Sequence, residues 1–204
     1  MKKVWIFIVL ICLSLQMTSC KTETKKVVTK TKKSTAYSLN TAKSNVQWTA
    51  YKTTDKIPVK GTFKTVTITK KGNGNTIKEA INNAEFSIPV SSIFSSNADR
   101  DSKLVRFFFG MMDNTELLSG KLIIENDSVG YASLTMNSLT EKLPFNYSIV
   151  DKKITLNAVM NMDIWRAKKA VDSLNAVCKD LHKAADGISK TWSDVAINIT
   201  SVFK

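Results

Sequence analysis

Histidine is almost missing from this chain: His182 is the only one in 204 residues. No metal cluster with histidine spacing can form, and three scattered cysteines do not supply zinc ligands in their place. Cys12 lies in an N-terminal apolar run and Cys20 just after it, which leaves Cys178 without an intramolecular partner. No disulfide framework is expected, and Cys178 reads as a small buried hydrophobe rather than a nucleophile. Long apolar runs are also lacking. The longest, Val4 to Leu13, is about half of the roughly 20 residues needed for a spanning helix. Acidic residues are few, 17 against 30 lysines and arginines. Many of those cations lie near the N-terminus, so the rest has a basic but ordinary surface, and charge gives no reason to expect nucleic acid. Gly72-Asn73-Gly74 lacks the Lys-Ser/Thr that a phosphate loop requires and reads as a turn.

What is present begins with an export signal. Lys2 and Lys3 precede the apolar run, and Met17-Thr18-Ser19-Cys20 closes it with small residues before a cysteine. A plain secretory signal needs no cysteine at that place. The expectation is a lipoprotein signal peptide over 1–19, with Cys20 as the lipid-attachment site. Acyl chains contribute about 0.8 kcal/mol per buried CH₂, so two or more hold a protein durably on a membrane. Residues 20–36 then read as a flexible tether. Lys21, Lys25, Lys26, Lys30, Lys32 and Lys33 stand against the single acid Glu23, a composition that cannot bury a core and is drawn to anionic headgroups. The expected location is the bacterial cell envelope, facing the periplasm.

Residues 37–204 suit one domain with a sizeable core. Alternating apolar positions mark half-buried strands: Val46 and Trp48; Val59, Gly61 and Phe63; Ala84, Phe86, Ile88 and Val90. Further along come Leu122 with Ile124, Leu134 with Met136, Leu143 to Ile149, Ile154 to Met162, and Val195 to Ile199. Val66 and Ile68 resume out of phase with Phe63, which predicts a bulge or bend near Thr65. Turn residues at Gly72–Asn75, Asn126–Ser128 and Asp151–Lys153 predict hairpins and an all-β, antiparallel sheet of about eight strands. Lys, Thr and Asn on the opposite faces argue against a lipid-facing exterior. The sequons at Asn146 and Asn198 fall inside predicted strands and are set aside.

Two segments break this pattern. A helical stripe of Ala167, Ala170, Val171, Leu174, Val177, Cys178 and Leu181 predicts a helix over 167–185, closed by Gly187 as a C-cap, with His182 solvated on its charged face. Around 97–107 a short helix capped by Asn97 or Asp99 is expected. Asp99 and Asp101 could be an acid–base pair, but Arg100 between them favours capping plus an Arg–carboxylate pair. Asn97, Arg100 and Asp101 are therefore read as a structural loop. No catalytic residue and no metal site is assigned.

Ser44 to Trp48, Val59 to Phe63 and Asn97 to Phe109, in that order and spacing on a β pattern, together resemble the YceI-like family of exported polyisoprenoid-binding proteins. Ser44-Asn45-Val46-Gln47-Trp48 is similar to the family's opening strand and Val59-Lys60-Gly61-Thr62-Phe63 to its next one. Asn97 to Phe109, with Arg100-Asp101 and Leu104 in register and the phenylalanines behind them, resembles its most specific segment, with Lys103 where a histidine is frequent. Asp163 to Val195 looks like a branch with a helical insertion before the last strand. The resemblance implies a lipocalin-like antiparallel barrel whose apolar channel holds a long isoprenoid chain, an isoprenoid quinone included. On that reading Trp48, Phe63, Phe86, Phe107, Phe108, Met160, Met162 and Trp165 line the ligand site, and the protein is a non-enzymatic carrier with no cofactor. Its partners are then a long-chain lipid and the membrane, with a second copy of the chain left open. The rival is an interaction lipoprotein whose barrel is filled by its own side chains; interior volume separates the two.

Overall fold

Alternation of inward apolar and outward polar side chains produces the dominant element, one antiparallel sheet. The structure, a computed structural model, describes residues 36–204. Cys20, the expected signal peptide and nearly all of the expected tether lie outside the described residues. Strands β1 (Tyr37–Ser38), β2 (Lys43–Lys52), β3 (Ile57–Phe63), β4 (Thr67–Lys70), β5 (Asn73–Gly74) and β6 (Glu85–Pro89) come first. β7 (Ile93–Phe94), β8 (Leu117–Ile124), β9 (Val129–Met136), β10 (Leu139–Val150), β11 (Lys153–Asn161) and β12 (Asp194–Val202) follow. Ten of them form the order β4-β6-β8-β9-β10-β11-β12-β2-β3-β7, and every pairing is antiparallel.

The expected break near Thr65 has a topological purpose. β3 lies beside one edge of the sheet and β4 is the opposite edge, yet only Lys64, Thr65 and Val66 join them. Four Cα–Cα steps reach at most about 15 Å, so the sheet must curl until its edges are close. The resumed strand β4 and the two-residue β7 raise the strand count above the eight read from periodicity. Neither is long enough to show a period.

The sheet ends are finished differently. At one, Asn73–Gly74 is not a hairpin turn but the short strand β5, which pairs with β1. Helix α1 (Ile77–Ile81) packs beside them, capped by Thr76 and by Glu79, whose carboxylate accepts the Asn75 N–H at 2.8 Å. It buries Ile77, Ala80 and Ile81.

At the other end sit α2 (Ala98–Lys103), a π-helical turn over Leu104–Phe108, and α3 (Lys168–Val177). α3 stops eight residues short of the expected 185. Residues 178–182 form turns instead, and the chain doubles back so that Lys183 bridges Ser189 with Gly187, at φ +79°, near the tip. The stripe is consistent with the stop: Ala170, Val171, Leu174 and Cys178 are buried, but the next member, Leu181, is 59% exposed. Ser34–Lys204 is a compact unit with its own core.

Candidate functional site

The inner face of the curled sheet does not close on itself. Inward side chains leave a cavity of about 200 Å³, more than tenfold the ~10–15 Å³ that holds one water. Its wall follows from strand register. Val46 stands opposite Ile199, which stands opposite Leu156; Trp48 opposite Ile197 opposite Ala158; Val195 opposite Met160. Leu134, Met136, Leu143 and Phe145 complete the far wall, and Phe63, Ile68, Phe86 and Ile88 the near one. One end is bounded by Leu39, Ser44 and Ser201, the other by Thr191, Trp192, Val171 and Leu174. From Ser44 to Lys52, the bridge partner of Thr191, runs most of β2, so the slot is roughly 25 Å long at about 3.3 Å per residue.

Polar groups mark the two ends. Ser44, which is exposed, shares a 2.8 Å hydrogen bond with Ser201. At the far end Thr191 Oγ donates to Asn175 Oδ1 at 3.0 Å, so His182 Nδ1–H donates the 2.7 Å bond to Thr191 Oγ. That fixes the ring's tautomer. His182 is thus no solvated helical residue: it is half-buried, and desolvation first, then the charge of Lys52, push its pKa down to about 4. Lys52 Nζ donates to Leu181 O at 3.0 Å beside it. Burial likewise pushes the Cys178 thiol upward, against the charge of Lys103, so the thiolate is disfavoured.

Six of the eight side chains assigned to the ligand border the cavity: Trp48, Phe63, Phe86, Phe108, Met160 and Met162. Trp48 lies flat against Gly61, where a Cβ would overlap its ring and sit 2.7 Å from Phe94 O. Its indole N–H is buried with no acceptor among the described residues.

Phe107 and Trp165 are elsewhere. An α-helix would put Phe107 on the face of Leu104, but the π turn carries an extra residue, so Leu104, Phe108 and Phe109 face inward. Phe107 is only partly buried, with Arg106 5.3 Å from its ring centre. Trp165 is fully buried outside the cavity, where its Nε1 donates to Leu134 O at 3.0 Å and its own carbonyl accepts from Asn137 Nδ2 at 2.8 Å. It locks the turn after β11 against β9. Sequence reasoning had passed over most of the wall, Leu143, Phe145, Leu156, Ile197 and Ile199 among it. The alternation that identified the strands already marked them.

The 97–103 loop is structural in its contacts, with different partners from those expected. Asn97 Oδ1 accepts the Arg100 N–H at 2.9 Å as the N-cap. Asp101 accepts from Ser95 N and Oγ, at 2.9 and 2.6 Å, and Asp99 pairs with Lys103 at 2.7 Å. Arg100 pairs with neither carboxylate, because Ser95 and Lys103 are closer in the turn. Among the described residues no group of three or more His, Cys, Asp and Glu is placed to hold a metal ion.

Comparison with known proteins agrees with this geometry. None of the curated proteins compared matches the chain. A polyisoprenoid-binding domain from Saccharophagus degradans, implicated in plant cell wall breakdown, superimposes with a TM-score of 0.59 at 10% identity, covering 83% of this chain and 98% of its own. Burkholderia cenocepacia BcnA superimposes at 0.50 with 14% identity, covering 81% and 98%. At such identities the likeness is one of fold. The family model for the YceI-like domain matches residues 37–200, and with strands, bend and cavity in place the chain belongs to the YceI-like domain family.

Proposed function

We propose that this protein binds a polyisoprenoid or another long-chain lipid in the barrel cavity and sequesters or carries it at the bacterial envelope, without catalysis. The carrying observation is the slot itself: long, narrow and walled by apolar side chains, as a flexible hydrocarbon requires. Each buried CH₂ contributes about 0.8 kcal/mol, so ten methylenes supply a gross ~8 kcal/mol against the ordering costs of binding. Met160 and Met162 adapt to a chain with no fixed shape. The Ser44–Ser201 pair, with Ser44 exposed and Ser201 buried, suits the polar head of such an amphiphile. The binding named for the Saccharophagus domain supports the same class of ligand. Cys20 is the proposed anchor, and a tethered barrel samples its membrane at high effective concentration.

A cavity of this size weighs against a barrel filled by its own side chains. Mass spectrometry of organic extracts from the protein, purified without detergent from its own membranes, tests the proposal. A stoichiometric long-chain lipid is expected; a consistently empty, folded barrel overturns it. The same spectra test Cys20, because lipidation adds the mass of acyl chains and Cys20→Ala removes it.

A further inference from the structure

One side of the cavity's Ser44–Ser201 end is bordered by a row of lysines and valines. Register places Lys43 opposite Val202, Val202 opposite Lys153, and Lys153 opposite Val150, one outward row across four adjacent strands. Val150 is 66% exposed and Val202 44%, and Lys43, Lys152 and Lys153 are exposed too. Lys152 sits in the β10–β11 turn, its carbonyl accepting the Phe203 N–H at 2.9 Å. None of these three lysines pairs with a carboxylate among the described residues, and the row's neighbouring acid is Asp151 in the same turn. The next row inward, Asn45, Thr200, Thr155 and Ser148, is neutral. The rim row thus alternates cations with exposed valines, which the row beside it does not. Tyr37, through which the lysine-rich segment joins the domain, packs edge-on against Phe203 at 5.8 Å, beside Val202.

We propose that this Lys/Val rim docks the folded barrel onto an anionic bilayer, with the Ser44–Ser201 end of the cavity facing the lipid. The lysines meet lipid phosphates while the valines enter the headgroup layer. The occupant is a membrane surface rather than a protein because the row pairs unneutralised cations with small, scattered apolar groups and offers no concave pocket. The inference stands on the rim alone and holds whether or not the cavity carries cargo.

The test uses Ser34–Lys204, which buries its own core and lacks both tether and Cys20. Flotation is measured with phosphatidylcholine vesicles with and without about 30% phosphatidylglycerol. Binding only to the anionic vesicles, weakening as salt rises, is expected. Each rim lysine is worth roughly fivefold in partitioning, so K43Q/K152Q/K153Q loses on the order of 100-fold. K60Q/K169Q/K179Q, three exposed lysines elsewhere, retains most binding; V150T/V202T loses a few-fold. Equal binding to both vesicles, or equal losses in the two lysine triples, overturns the proposal. Circular dichroism of each variant confirms folding. Cargo extracted from the rim triple at wild-type amounts keeps this result separate from that of lipid carriage.

Discussion

The wall of the cavity and its cover are built by different rules. In β9, β10 and β11, burial alternates residue by residue, and across β11, β12 and β2 the register stacks Leu156, Ile199 and Val46 or Ala158, Ile197 and Trp48 in rows. The cover over the Thr191 end has no such period. It combines a six-residue helix, a π turn, a 3₁₀ turn and a ten-residue helix, joined by side-chain hydrogen bonds accepted by Asp101 and Asn175 and donated by Asn137 and His182. A wall of repeated apolar contacts tolerates variation in any one of them. A cover of single, specific contacts does not, and six substitutions turn that difference into numbers.

The largest effect belongs to Trp165→Ala. It empties a fully buried site and removes the hydrogen bond to the Leu134 carbonyl, and costs about 3–5 kcal/mol by urea unfolding. Leu156→Ala in the wall enlarges a cavity that already exists and costs nearer 2 kcal/mol. Equal losses would show that wall and cover are equally specific. The π turn is read by a second pair: Phe109→Ala costs ~3 kcal/mol, Phe107→Ala under about 1 kcal/mol. A reversal would put the turn in α phase.

The same contrast explains what was legible beforehand. Period-two alternation is a property of sequence, so strands, inward faces and the bend near Thr65 could be read directly. Phase in a π turn is not: Phe107, Phe108 and Phe109 are identical residues, and only the i→i+5 hydrogen bonding decides which two turn inward. The early end of α3 depended on what packs beyond Val177, and the burial of His182 on Lys52 and Thr191, neither of them near it in sequence order by a helical spacing. Trp165 was marked by its chemistry as lining, but its indole N–H needs an acceptor, and Leu134 O draws it into the wall's edge.

A smaller effect, about 1–2 kcal/mol, is expected for Asp101→Asn, which weakens two charge-assisted bonds from Ser95 while keeping the side chain's shape. Thermal unfolding at pH 7 checks it; no change would make the 95–101 turn independent of that carboxylate.

The smallest effect is a pH dependence seated in the cover. His182 has a folded pKa of about 4 against an ordinary 6.5, so below pH 6.5 the unfolded chain takes up a proton that the folded chain refuses. The stability this residue contributes is whole above pH 6.5, declines as pH falls, and is gone below about 4. Because the ring is half-exposed, solvent screening limits the loss to roughly 1 kcal/mol. Between pH 6.5 and 5 the carboxylates stay ionised, so the urea midpoint there isolates the histidine. His182→Gln should flatten that slope while leaving unchanged the slope below about pH 3, where the histidine is protonated in both states. The wall contributes nothing to it, since no titratable side chain lines the cavity among the described residues. A slope that survives in His182→Gln would move the proton to another group and return the cover to the same apolar logic as the wall.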